Sequence, residues 1–145
     1  ILSGNEGRGS VEHYTDVSPS DWFYDYYVAA DDMGIIHGTY ANPNELLTKG
    51  DFMLYMTRFV AFTNPEEGTL YGWDESDIPF SDISKNDYFT YSTIIGYNKT
   101  VEDPDTGLTR VFNGNSDGTS GAWSPILRSD FFTLALRFYL AWYAN

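Results

Sequence analysis

Hydrophobic and polar positions along the chain follow two similar cycles, and each cycle predicts a helix, a loop and a second helix. In the first cycle the apolar side chains recur at the three- and four-residue spacing of one helix face: Phe23, Tyr26, Tyr27, Ala30 and Met33. Gly34 supplies the predicted C-terminal stop of this helix. The stripe of the second predicted helix is Phe52, Tyr55, Met56, Phe59 and Val60.

The second cycle repeats this pattern. Its first predicted helix carries Tyr88, Tyr91, Ser92 and Ile95, with Gly96 as the predicted stop. The stripe of its second helix is Phe131, Leu134, Ala135, Phe138 and Trp142. Arg58 and Arg137 occupy matching places late in the two second helices, where positive charge suits the helix dipole.

Both cycles open on one polar template: aromatic, any residue, Asp, β-branched, Ser, two residues, Asp, aromatic. Residues 14–22 and 80–88 both fit this template. Ser18 and Ser84 each have Asp three residues on, which is an acidic variant of the capping box. Pro19 suits the first position of a helix, where its missing N–H costs nothing. The first helices are therefore predicted to begin directly after these serines.

The second helices open differently in the two cycles. In the first, Thr48 and Asp51 predict a capping box. In the second, Leu127 stands at the capping position, and Ser124-Pro125 offers an alternative helix start as a cap plus a first-turn proline.

This periodicity predicts an all-α fold with long irregular loops, built from tandem helix-loop-helix repeats that pack as one helical bundle. We expect a flexible lead-in at 1–13, a first motif at 14–62, a linker at 63–79 and a second motif at 80–145. The second motif has 13 extra residues, in a loop insertion over 101–122. Such a loop tolerates insertion because closing a longer loop costs little. We expect one compact domain overall.

The amino-acid composition argues against several classes of function. Aromatic residues make up 18% of the 145 residues, which suits both core packing and ligand stacking. The net charge of -13 argues against nucleic acid and against docking on anionic lipid. The absence of cysteine excludes disulfides and thiolate chemistry. No apolar run is long enough to span a membrane. The two histidines have no metal-ligand spacing, so we expect no enzyme.

The ordered landmarks resemble the S-layer homology motif. The first cycle reads Tyr14-Thr15-Asp16-Val17, Asp21-Trp22-Phe23-Tyr24, Gly34-Ile35-Ile36-His37-Gly38-Thr39-Tyr40, Pro43, and Leu47-Thr48-Lys49-Gly50-Asp51-Phe52. The second reads Phe80-Ser81-Asp82-Ile83, Tyr88, Ile94-Ile95-Gly96-Tyr97, Asp117-Gly118-Thr119, Trp123-Ser124-Pro125, and Leu127-Arg128-Ser129-Asp130-Phe131. The resemblance covers about 110 of the 145 residues.

The chain departs from the family pattern at two kinds of place. Lys49 replaces the family's Arg, which keeps the charge but loses the planar fork that grips a carboxylate. Family domains usually combine three motifs in a three-pronged bundle, and two are visible in this chain. The third motif is absent, divergent or supplied by another chain. One form of the last alternative is a homo-oligomer in which a second copy completes the third motif.

The resemblance implies a secreted bacterial module that anchors non-covalently to a secondary cell-wall polysaccharide, often one with a ketal-linked pyruvate. Carried over by motif position, the candidate ligand-binding residues are Asp16, Trp22, Gly38 and Lys49, and then Asp82, Tyr88 and Arg128. Two alternatives stay open. Asp16 and Asp82 can serve instead as caps for local backbone N–H groups, and Trp22 can serve as a core residue.

Two further hypotheses come from other features. Asn113, Asn115 and Asp117, followed by Gly118, match the opening of a calcium loop, although Ser124 stands where the bidentate Glu is expected. Such a site predicts a melting temperature that rises with calcium. The aromatic richness, together with a place left for a third motif, favours a protein-interaction module of a surface assembly.

Overall fold

A computed structural model describes residues 14–67, 69–70 and 72–144, and the secondary structure in these ranges is mostly helical. Its helices are α1 (Tyr24–Asp32), α2 (Lys49–Thr63), α3 (Thr90–Asn98) and α4 (Arg128–Trp142), with a short 3₁₀ helix at Glu75–Asp77. Its strands are β1 (Thr100–Asp103) and β2 (Gly107–Arg110). The predicted flexible lead-in, 1–13, lies outside the described residues.

The expectation of an all-α fold is wrong for the loop insertion, because its first part forms an antiparallel hairpin. Thr100 pairs with Arg110 and Asp103 with Gly107. The Asp103 carboxylate accepts backbone N–H groups from the next residues of the turn, and Gly107 has a φ of +75°. This left-handed conformation favours glycine, so Gly107 suits the turn that closes the hairpin.

The first helices begin later than the sequence predicted, because the opening serines start turns rather than helices. The Asp21 carboxylate accepts the Ser18 backbone N–H at 2.8 Å, and the Asp21 N–H donates to the Ser18 carbonyl. Asp87 makes the same two hydrogen bonds with Ser84. Neither serine hydroxyl caps the following helix, so each carboxylate closes a turn that leads into α1 or α3.

The two predicted glycine stops have different outcomes. Gly34 ends α1 as predicted, with a φ of +71° and a hydrogen bond from its N–H to the Asp31 carbonyl. The prediction for Gly96 is wrong, since Gly96 lies inside α3 and is buried. A Cβ atom there would lie 3.0 Å from Phe112 Cβ and closer still to Met53 Cε. Gly96 therefore allows α2 and the insertion to approach α3 closely.

The second helices begin where the motif placed them. Thr48 caps α2, because its hydroxyl accepts the Asp51 N–H at 3.0 Å while the Asp51 carboxylate accepts the Thr48 N–H at 3.2 Å. At α4 only the second of these bonds forms, from the Leu127 N–H to the Asp130 carboxylate at 3.1 Å. The alternative start at Ser124-Pro125 is wrong, since α4 begins at Arg128.

The described part of the chain divides into two compact units, which meet between residues 45 and 46 in the sequence. In the first unit, Tyr14, Val17 and Val28 form a small buried cluster. The core of the second unit joins α2, α3, α4 and the hairpin segment, and its members include Phe52, Met53, Phe89, Ile95 and Phe138. Thus α2, which the pattern assigned to the first cycle, packs within the second unit.

Helix periodicity predicted only part of the buried faces, and its stripe for α1 is wrong. In α1, Val28 and Ala29 are buried, whereas the predicted Tyr26 is 61% exposed. In α4, Leu134, Phe138 and Trp142 are buried as expected, whereas Phe131 is 41% exposed. In α2, Met53 is fully buried although the predicted stripe omitted it.

Candidate functional site

Asp82 fastens the end of the loop insertion to the opening of the second cycle. Its carboxylate accepts the Ser120 N–H at 2.6 Å, the Gly121 N–H at 3.0 Å and the Ser120 hydroxyl at 2.9 Å. Ser120 is only 1% exposed. The structure therefore gives Asp82 the backbone-capping role that the sequence left open.

Asp16 makes the equivalent contacts within the first unit. Its carboxylate accepts the Ala41 N–H at 2.9 Å and the Asn42 N–H at 2.7 Å. The hydrogen bond from Ala41, and then that from Asn42, lower the pKa of Asp16 below its ordinary value despite partial desolvation. Both aspartates thus hold the loop that leads to the second helix of their cycle.

The loop fastened by Asp82 also holds the first turn of α2. The Lys49 N–H donates to the Ser124 carbonyl at 3.0 Å, and the Gly50 N–H donates to the Ala122 carbonyl at 2.9 Å. Two of the N–H groups that a helix start leaves unpaired are satisfied in this way. Lys49 is consequently fixed beside the loop of the second cycle.

The Lys49 side chain lies in a cleft of about 140 Å³. The cleft is lined by Lys49, by the loop residues Phe112, Asn113, Gly114, Asn115 and Ser120, and by the α4 residues Asp130, Thr133, Leu134 and Arg137. Lys49 Nζ is 3.6 Å from Asp130 Oδ2, and the Lys49 side chain is 21% exposed. Amide, hydroxyl and charged groups around one apolar wall form a lining that suits a polar ligand.

Arg137, on the wall of this cleft, is paired with Asp103. Its Nε donates to Asp103 Oδ2 at 2.8 Å, and the two side chains are 13% and 6% exposed. This hydrogen bond, together with those from the Asp105 and Thr106 N–H groups, lowers the pKa of Asp103 to about 2. Arg137 therefore ties α4 to the hairpin, and Lys49 remains the more available cation of the cleft.

Tyr88 lies at a different cleft, between α2 and α3. This cleft of about 310 Å³ is lined by Leu54, Thr57, Arg58, Ala61, Tyr88, Tyr91 and Ser92. The Tyr88 hydroxyl donates to Asp51 Oδ1 at 2.6 Å. Partial burial and this hydrogen bond raise the pKa of Tyr88 to about 12. Thr57 Oγ1 is buried there without a hydrogen-bond partner among the described residues.

The remaining candidates do not join the Lys49 cleft. Arg128 is exposed at the start of α4, with no hydrogen bond or ion pair to any residue in the described ranges. Trp22 and Gly38 belong to the first unit. Trp22 is 84% exposed, which rules out the alternative that it is a core residue. Gly38 is exposed with a φ of +108°, a conformation that favours glycine.

The predicted calcium ligands are engaged in local hydrogen bonds. The Asn113 amide donates to Thr109 Oγ1 at 2.9 Å, and the Asn115 amide donates to Thr119 Oγ1 at 3.0 Å. Asp117 Oδ1 accepts both the N–H and the hydroxyl of Thr119. No group of three or more His, Cys, Asp or Glu side chains placed to hold a metal occurs in the part of the chain described. The calcium hypothesis stays a prediction, and Asp117 is the one carboxylate among its three named ligands.

The sequence did not predict that residues outside the two motifs would line the Lys49 cleft. Arg137 was assigned only a dipole role, and nothing in the sequence indicated its partner, Asp103. The Asn113 and Asn115 amides, which the sequence singled out for calcium, also line the Lys49 cleft. Their position depends on how the insertion folds, which the helical pattern does not encode.

Comparison of the chain with protein-family models, with curated proteins and with solved structures finds no match in any of the three. No helix within 14–67, 69–70 and 72–144 is long and apolar enough to cross a membrane. The likeness to S-layer homology motifs is therefore carried by the residues of the two cycles themselves.

Proposed function

We propose that this chain is a non-catalytic module of a bacterial cell surface, and that the Lys49 cleft binds an anionic polysaccharide of the cell wall. The observation that carries this proposal is the cleft itself, in which one partly exposed ammonium group faces amide and hydroxyl groups. The resemblance to S-layer homology motifs supplies the ligand class and the extracellular location.

The two cycles are proposed to be tandem S-layer homology-like repeats that form a helical bundle. Equal helix lengths support this, since α1 and α3 each have nine residues and α2 and α4 each have fifteen. Asp16 and Asp82 also make matching contacts with the loop before the second helix. Shared chemistry at shared positions is what a sequence repeat produces.

Within the cleft, the Lys49 ammonium is the proposed partner of the ligand carboxylate. The backbone N–H groups of Lys49 and Gly50 already donate to carbonyls of the adjoining loop, so they do not serve as an anion site. At 3.6 Å, the distance from Lys49 Nζ to Asp130 is longer than a tight ion pair, which leaves Lys49 able to exchange partners. Asn113, Asn115 and Ser120 provide donors and acceptors for sugar hydroxyls.

The test is co-sedimentation of the purified chain with Gram-positive-type cell-wall sacculi, before and after the secondary polymer is removed. Lys49→Ala is expected to weaken binding by about 10- to 100-fold, because a charge-assisted contact contributes roughly 1.5–3 kcal/mol. Lys49→Arg keeps the charge and is expected to bind. Lys85→Ala, an exposed lysine outside the cleft, is the matched control and is expected to bind like the wild type.

Two results would count against the proposal. Equal sedimentation of Lys49→Ala and wild type would exclude the cleft as the site, and the matching Arg128→Ala variant would then show whether the second motif carries the activity. If the wild-type chain does not sediment with walls, either with or without polymer, the result would favour protein interaction as the function.

A protein-interaction module is the second candidate function, and one observation favours it. Large apolar side chains on and beside α4 are exposed, including Leu127 at 64%, Phe132 at 68% and Tyr139 at 56%. Exposed apolar side chains grouped on one element are typical of a contact surface.

A further inference from the structure

The packing of α2 against α3 shows how a second helix of one cycle meets a first helix of the next. Met53 is fully buried and lies against Gly96 of α3. Thr57, one turn further along α2, is 4% exposed and shares the cleft between the helices with Ser92 of α3. This face of α2 is therefore covered by the neighbouring cycle.

The same face of α4 is open. α4 corresponds to α2 with an offset of 79 residues, so Phe132 stands at the place of Met53 and Leu136 at the place of Thr57. Phe132 is 68% exposed and Leu136 is 40% exposed. Leu136 is more apolar than its buried counterpart Thr57, and Phe132 is apolar like its counterpart Met53, as expected for a surface that acquires a cover.

On α1, the position that corresponds to the α3 surface beside α2 is also exposed. α1 corresponds to α3 with an offset of 66 residues, which places Tyr26 at the position of Ser92. Tyr26 is 61% exposed, whereas Ser92 is 2% exposed. The position that is buried beside α2 in one cycle is thus exposed in the other.

Oppositely charged residues stand at two positions that would meet if α4 and α1 packed as α2 and α3 do. In the covered case the Ser124 carbonyl accepts the Lys49 N–H. The counterpart of Lys49 is Arg128 and the counterpart of Ser124 is Glu45, both exposed in this chain. Residues 14–45 carry six acidic side chains and no Lys or Arg. Opposite charges at corresponding positions favour one register of docking.

We propose that α4 binds a second copy of this chain through residues 22–45 of that copy, with its α1 lying on α4 as α3 lies on α2. Ser129 stands at the place of Gly50, where a Cβ atom would come within 2.5 Å of the Phe89 ring. The docked helix therefore lies further out, and the larger rings of Phe132 and Tyr26 fill the gap. Because two different surfaces meet, copies join head to tail.

Sedimentation velocity of the whole chain over a concentration series tests this. The wild type is expected to associate with a dissociation constant on the order of 1–100 μM, typical of small interfaces. Phe132→Glu and Tyr26→Glu are each expected to raise that constant at least about tenfold, since each places a charge in an apolar contact. The control Phe62→Glu changes another exposed helical phenylalanine, on α2, and is expected to associate like the wild type.

Mixing the two variants distinguishes head-to-tail docking from a symmetric contact. Phe132→Glu retains the α1 face and Tyr26→Glu retains the α4 face, so an equimolar mixture is expected to form dimers and nothing larger. Charge reversal gives an independent check that avoids apolar positions: Arg128→Glu and Glu45→Arg each weaken association, and the double variant recovers it.

Three results would overturn the proposal. The first is a wild-type chain that stays monomeric up to about 1 mM, since its binding free energy would then be weaker than roughly -4 kcal/mol. The second is unchanged association of Phe132→Glu or Tyr26→Glu. The third is a mixture of the two variants that remains monomeric while the wild type associates.

Discussion

Replacing Asp82 by alanine should destabilise the second unit, because three hydrogen bonds end on this carboxylate. The Ser120 N–H, the Gly121 N–H and the Ser120 hydroxyl all lose their acceptor. Ser120 is 1% exposed, so water does not readily replace the carboxylate at its N–H. Gly121 is partly exposed, and its N–H regains a partner from solvent more easily.

The magnitude follows from these environments. A hydrogen bond to a charged acceptor contributes roughly 1.5–3 kcal/mol, and an unsatisfied buried donor costs about the same. Counting the Ser120 N–H in full and the other two bonds in part, we expect a loss of about 2–4 kcal/mol in the free energy of unfolding. Asp82→Asn keeps one acceptor oxygen but turns an amide donor toward one N–H group, so it should lose about half as much.

Urea unfolding followed by circular dichroism measures this loss, with Asp105→Ala as the control. Asp105 is exposed on the hairpin turn, and its replacement removes the same charge without removing a hydrogen-bond acceptor of the loop. A destabilisation by Asp82→Ala below about 0.5 kcal/mol, the range of ordinary surface substitutions, would refute the role assigned to this carboxylate.

Three further predictions concern packing and pH. Gly96→Ala should lower the free energy of unfolding by about 1–2 kcal/mol, because the added methyl group crowds Phe112 Cβ, 3.0 Å away, and the fully buried Met53 side chain, which outweighs a helix-propensity gain of about 1 kcal/mol. Equal or higher stability in urea would contradict the close approach. Thr57→Val should raise it by about 1 kcal/mol by removing an unpaired hydroxyl, and a decrease would show that the hydroxyl has a partner. The pKa of Asp103 is about 2 against an ordinary value of 3.8, so its contribution to stability is complete above pH 4 and is lost as pH falls toward 2. Unfolding in a pH series should show this slope in the wild type, and Arg137→Gln should flatten it.

Local chemistry made part of the fold predictable from the sequence. Thr48 with Asp51 forms a capping box wherever a helix begins there, and Gly34 meets the backbone conformation that a helix end requires. Asp16 and Asp82 were marked by their equivalent motif positions. Each of these features depends mainly on side chains and backbone groups within its own cycle.

The remaining features depend on contacts that a periodic pattern does not contain. Gly96 was mistaken for a helix stop because glycine suits both a helix end and close packing, and only the positions of Met53 and Phe112 distinguish the two. The first helices begin late because Asp21 and Asp87 hydrogen-bond to the serine backbone, which competes with helix formation. The Lys49 cleft was not predictable, since the insertion places Asn113 and Asn115 next to a helix of the other cycle.

We propose that the cleft around Lys49 binds an anionic wall saccharide. The most direct test is an NMR titration of the ¹⁵N-labelled chain with polymer released from sacculi. Binding in this cleft is expected to shift the backbone amide signals of Lys49, 112–115 and 120–121. These shifts are expected to disappear in Lys49→Ala but not in Lys85→Ala. Shifts confined to other residues, or none at saturating polymer, would contradict it.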